Sequence, residues 1–68
     1  MIVTVNGQRR ELQSGTTVAA LVASLKAVPE GRGVAVAVSG EVVPRTAWPH
    51  TELRDGAAIE VLSAVQGG

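Results

Sequence analysis

The residues with most chemistry to offer are at the end of the sequence, Val65-Gln66-Gly67-Gly68, where a β-branched run gives way to two bare glycines. Glycine is about 7% of average sequence, so a terminal pair is expected by chance in only about 0.5% of chains. Without a Cβ, Gly67 and Gly68 narrow the chain to backbone and permit dihedrals that other residues avoid. Four extended residues from Val65 span roughly 13–14 Å. That reach predicts a tail that carries the α-carboxylate of Gly68 into a narrow pocket of another protein while the folded body stays outside. The competing reading is a frayed, glycine-rich terminus with no role.

The other residue types offer little chemistry. Cysteine is absent, which excludes disulfides, thiolate metal sites and cysteine nucleophiles. His50 has no second histidine and no patterned carboxylate beside it, so it reads as a surface residue rather than a metal ligand or general base. Trp48 is the only aromatic residue and reads as a packing or interface residue, since a stacking platform needs company. Arg45 either docks on a partner or pairs with Glu41 or Glu52. No nucleophile and base stand out as a pair, and 68 residues leave no room for a core and a substrate cleft. The chain is therefore expected not to be an enzyme, with no catalytic residue and no metal of its own.

Six basic and six acidic residues give zero formal charge, and the basic ones are dispersed. A nucleic-acid partner would call for a basic footprint. No apolar run approaches the ~20 residues of a membrane span, and Met1 opens straight into strand-like sequence without a leader pattern. The expected compartment is the cytoplasm, with neither nucleic acid nor membrane as partner.

The elements that must position the tail follow from periodicity. Met1 to Val5 alternates, with Met1, Val3 and Val5 on one face, and Asn6-Gly7 is the strongest short hairpin signal, so Gln8 to Gln13 should return antiparallel with Leu12 inward. Val18, Leu21, Val22 and Leu25 recur at helical spacing after Thr16-Thr17, predicting a helix of about three turns that ends near Ala27, ahead of Pro29. Val34 to Val38 reads as a central strand with both faces covered, and a right-handed crossover would set it parallel to a neighbour. Ser39-Gly40 turns the chain into Glu41-Val42-Val43, which Pro44 closes. Arg45 to Leu53 reads as an ordered connection with one helical turn, and Arg54-Asp55-Gly56 as a turn into a last strand from Ala57 to Val65. In that strand Ile59 and Val61 share one face, and Glu60, Leu62 and Ala64 the other. Leu62 is thus expected as an exposed apolar residue beside the tail, a partner contact together with Ala64, unless curvature of the sheet tucks it inward.

Three segments carry a resemblance to a known family: Val42-Val43-Pro44-Arg45 with Trp48 three residues on, Asp55-Gly56-Ala57-Ala58-Ile59-Glu60, and Ala64-Val65-Gln66-Gly67-Gly68. With the Asn6-Gly7 hairpin and the helix opening Thr17 to Leu21, they make the chain resemble the ubiquitin-like β-grasp sulfur carriers, most closely the ThiS-type carriers of thiamine biosynthesis. Gly67-Gly68 is common to all β-grasp carriers, whereas Val-Pro-Arg-x-x-Trp is more specific, and Gln66 stands where the family often has Gly or Ala.

The resemblance implies an α+β fold, a mixed sheet of four to five strands packed on one helix over residues 1–64, followed by a flexible tail over 65–68. It implies that an E1-like, ThiF-like adenylyltransferase using ATP and Mg²⁺ adenylates Gly68, that a persulfide donor replaces AMP with sulfur, and that the thiocarboxylate serves a ThiG-like thiazole synthase. Activation is needed because a free α-carboxyl, with a pKa of about 3.3–3.7, is an anion at neutral pH and resists nucleophiles. The chain has no Walker-type phosphate loop, so ATP and Mg²⁺ are expected on the partner and no cofactor on this chain. The alternatives are the small subunit of molybdopterin synthase and a ubiquitin-like protein modifier; Lys26, the one lysine, limits what chains such a modifier could build.

Overall fold

The structure, a computed structural model, describes residues 1–25 and 33–63. β1 (Ile2–Val5) and β2 (Gln8–Glu11) form an antiparallel hairpin with Val5 opposite Gln8. Its two-residue turn works because Asn6 and Gly7 both hold positive φ, +52° and +83°, as a type I′ turn demands. β2 stops at Glu11 rather than Gln13. Leu12 still donates its N–H to the Met1 carbonyl at 2.8 Å and packs on the core.

The helix α1 spans Val18–Ser24, two turns instead of about three. Thr17 caps it, its Oγ1 accepting from the Ala20 N–H at 3.1 Å. Val18, Leu21 and Val22 are buried, while Leu25 is already extended at φ −90°, ψ 109°. At the closing end the Ser24 hydroxyl donates to the Leu21 carbonyl at 2.6 Å, the kind of side-chain bond that competes with a further helical turn. The expected continuation to Ala27 and the loop from Pro29 to Arg32 fall outside the described residues.

β3 (Val34–Val38) and β4 (Glu41–Val43) form a second hairpin through Ser39 and Gly40, again a pair of positive φ values, +50° and +87°. Pro44 ends β4, and Arg45–His50 is a 3₁₀ helix of six residues, somewhat more than the single turn expected. β5 (Ala58–Ser63) follows a turn in which the Ala57 N–H donates to the Arg54 carbonyl. The ends expected for this strand, Ala64 and Val65, lie outside the described residues, as does the tail.

The five strands form one mixed sheet in the order β2-β1-β5-β3-β4, which corrects two expectations. β3 is not central; β5 is. Nor is β3 parallel to a neighbour: it pairs antiparallel with both β4 and β5, and the parallel pair is β1 with β5. Following the strand directions, the crossover through α1 does join two parallel strands, β2 and β3. However, β1 and β5 lie between them. The last strand fills that slot, where it has a partner on each side and buries Ile59 and Val61.

One face of the sheet makes the core. Val3, Val5, Val36, Ile59 and Val61 meet Val18, Leu21 and Val22 of α1, with Trp48, Leu53 and Ala57 closing the rim. Trp48 is pinned by its Nε1–H, which donates to the Val43 carbonyl at 2.9 Å. The other face has nothing over it among the described residues. Ala35 is exposed there, so β3 is covered on one side only, against expectation. No described helix is long and apolar enough to cross a membrane.

Candidate functional site

Alternation along β5 sorts its side chains as the sequence predicts: Ile59 and Val61 are buried, Glu60 and Leu62 exposed. Leu62 is 66% exposed, so sheet curvature does not tuck it inward. Pair register then shows what surrounds it. Ala35 lies directly opposite Leu62, and Ala37 sits between Glu60 on β5 and Val42 on β4. Val42, 75% exposed, is the other exposed large apolar residue among the described residues. Two bulky side chains thus flank a floor of two alanines, a shallow apolar patch edged by the Glu60 carboxylate. Apolar side chains gathered in water in this way are characteristic of contact surfaces.

Val42 was not singled out as a contact from the sequence, although the signal was present. A two-residue turn at Ser39-Gly40 forces Ala37 opposite Val42, and partners directly opposite share a face. The alanine side of β3 and Val42 therefore belong to one surface.

Arg45 stands apart from that surface. Val36 is level with both Val61 and Val43. β4 and β5 run the same way, so Arg45 and Ser63, each two residues further on, lie at the same end of the sheet. There the Arg45 guanidinium sits over the Trp48 ring, 5.7 Å from its centroid. The structure thus brings Arg45 to the tail end but turns it toward Trp48. Of the remaining residues read as a site, Ala64, Gln66, Gly67 and Gly68 lie outside the described residues. Leu62 ends two residues before Ala64 begins the run that leads to them.

Among the described residues the folded body offers little chemistry. His50 is exposed at the end of the 3₁₀ helix, and no three His, Cys, Asp or Glu side chains gather to hold a metal among the described residues. An open hollow of about 340 Å³ is lined by Ser39, Glu52, Arg54 and Asp55 where β5 begins, the opposite end of that strand from Ser63. The Asp55 carboxylate in it is already accepting the Ile2 N–H at 2.7 Å. That bond ties the first strand to the turn before the last one.

In the sequence Asn6 reads only as a turn residue. Its side chain bonds twice to Val61, accepting the backbone N–H at 2.8 Å and donating to the carbonyl at 3.1 Å. β5 is therefore held on the β1 side past the point where β1 itself has ended.

Comparison with known proteins agrees with this architecture. The family model described as the ThiS family matches residues 3–68. The crystal structure of a thiamine biosynthesis protein (ThiS) from Geobacter metallireducens is 36% identical with a TM-score of 0.82, each chain covered completely. An NMR solution structure of a thiamine biosynthesis protein from the same organism is 36% identical with a TM-score of 0.80, covering all of this chain and 88% of that one. No curated protein matches closely enough to count as a relative.

Proposed function

The chain belongs to the ThiS family, and on that footing we propose that it is a sulfur carrier of thiamine biosynthesis, acting through the carboxylate of Gly68. The observation that carries the reading is a family match that runs through the glycine pair to residue 68, on a body that resembles a ThiS structure over its whole length. The role is that of a carried substrate rather than a catalyst.

The proposed chemistry starts with a carboxylate oxygen of Gly68 attacking the α-phosphorus of ATP. Pyrophosphate leaves, and a mixed anhydride with AMP remains. The outer sulfur of a persulfide then attacks the carbonyl carbon and AMP departs. A thiol opens the resulting S–S bond, leaving a thiocarboxylate that passes its sulfur to a thiazole synthase. ATP and Mg²⁺ are assigned to an E1-like activating partner, in keeping with a sequence that has no phosphate-binding loop.

This chain's own contribution is delivery. Gly67 and Gly68 present a backbone without side chains to a narrow channel. The open-face patch, Leu62 with Ala35, Ala37 and Val42, gives the partner an apolar surface next to the strand that leads into the tail. In the proposal Ala64 continues that contact, Gln66 and Gly67 form the tail beyond it, and Arg45 is a separate partner contact at the end of the sheet.

Intact mass measurement after incubation with the activating enzyme, ATP and a sulfur source tests the reading. A single oxygen-for-sulfur exchange located at Gly68 is expected. Covalent attachment to protein amines without that exchange would instead favour a protein modifier.

A further inference from the structure

Asn6 performs two tasks that pull in different directions. Its backbone, at φ +52°, turns away from the sheet to begin the β1–β2 hairpin, yet its own N–H still donates to the Ile59 carbonyl on β5 at 2.9 Å. In a parallel ladder, a residue that gives its N–H to one carbonyl takes the N–H two residues further along with its own C=O. The turn has carried the Asn6 carbonyl out of place for that bond. The side chain takes over: Oδ1 accepts the Val61 N–H at 2.8 Å, and Nδ2 donates to the Val61 carbonyl at 3.1 Å. The carboxamide thus stands in for one more peptide unit of β1, added to the sheet after the chain has left it.

What it holds matters because of where Val61 lies. On the β3 side, β5 is paired through Ser63. On the β1 side, register pairing ends at Val5 with Ile59, and Asn6 is the contact farthest along β5. Val61 is followed at once by Leu62 of the apolar patch, and seven residues later by Gly68.

We infer that Asn6 is a positioning residue for the carboxyl-terminal tail: by clamping both polar backbone atoms of Val61, its carboxamide sets the point from which the chain reaches for the partner's active site. The inference rests on the carrier function proposed above. Releasing Val61 leaves the end of β5 held on the β3 side alone. The point from which the chain runs on to Gly68 then wanders, which lowers the effective concentration of the carboxylate at the partner's nucleotide site. Reactions that depend on a held geometry lose rate steeply when the reacting atom is misplaced.

Asn6→Gly is the informative variant, because glycine keeps the positive φ of the turn while deleting the clamp. Three quantities are needed: amide hydrogen exchange at Val61, the melting temperature, and kcat and KM for adenylation of Gly68 by the activating enzyme, assayed well below the melting transition. Exchange at Val61 is expected to accelerate, kcat to fall about tenfold and KM to change by less than about threefold, since the patch is still present. Asn6→Asp also tolerates the turn and still accepts the Val61 N–H, but cannot donate to its carbonyl, so it should fall between parent and glycine. Should Asn6→Gly melt below the assay temperature, the aspartate variant decides alone. A role in stability only would lower the melting temperature and leave kcat at the parental value, and that result overturns the assignment. A parent chain that is never adenylated overturns the carrier reading, and the role of Asn6 falls with it.

Discussion

Ile59 and Val61 on one side of β5, and Glu60 and Leu62 on the other, are successive residues of one strand with opposite surroundings. The first pair is sealed against α1 and Leu53, where the second pair looks out over two alanines and Val42. Along a pleated strand this costs no extra chain, since adjacent side chains point to opposite faces. A domain of 68 residues has one core and little surface to spare. So short a chain can thereby carry both tasks of the proposed carrier: the inner face holds the strand in place, and the outer face is left free to meet a partner. If that division is real, substitutions should separate fold from activity cleanly.

The largest separation is expected at the tail. Removing Gly68, or adding a residue after it, should abolish adenylation and leave the melting temperature at the parental value, since the described core draws on residues 3–61. A truncated chain adenylated at the normal rate would break the assignment of Gly68 altogether. Leu21→Ala, on the inner side, should do the reverse. Leu21 is among the most completely buried side chains, and such truncations cost about 2–5 kcal/mol. Against a total stability of about 3–10 kcal/mol for a chain of this size, much of the fold is at stake, and denaturant titration would measure it.

Leu62→Asp sharpens the comparison on the strand itself. In the free protein the aspartate meets water, so melting should barely change. Against an apolar partner surface it must give up that water. An unsatisfied buried group costs about 1–3 kcal/mol or more, which corresponds to a loss of affinity for the activating enzyme of about 5- to 150-fold or more. If the variant unfolded instead, the two faces of β5 would not be independent.

Much of this division could be read in the sequence because it rests on local rules. Alternation placed Leu62 outward and Val61 inward, Asn6-Gly7 and Ser39-Gly40 fixed two hairpins, and Pro44 marked the end of β4. What could not be read was long-range. The choice of β5 rather than β3 as the centre depends on which strand fills the gap left by the crossover, a packing outcome between residues far apart in sequence. At the end of α1 the Ser24 hydroxyl donates to the Leu21 carbonyl and Leu25 is extended, local detail that periodicity does not weigh. Asn6 shows the limit most plainly. Asn, Asp and Gly all suit a type I′ turn, so the local signal explains the turn and conceals why a carboxamide is there. The second use becomes visible only when Val61, 55 residues away, is brought beside it.

Arg45 tests where the border between the two regions runs, and the effect should be the smallest of the set. Its guanidinium lies over Trp48, a buried residue whose indole is fixed to the Val43 carbonyl, yet Arg45 itself is exposed and lies at the tail end of the sheet. A cation over an aromatic face at an exposed site contributes about 0.5–1 kcal/mol. Arg45→Met keeps most of the aliphatic stem and removes the charge. If Arg45 serves chiefly the fold, the melting temperature should drop by roughly 2–8 °C, the shift such an energy produces in a domain of this size, and affinity for the activating enzyme should hold. If it serves the partner, affinity should fall, most clearly at low salt, where surface charges are least screened. A loss of affinity with unchanged melting would move Arg45 to the docking side with Leu62. The proposed contact surface would then extend from the open face around the end of the sheet.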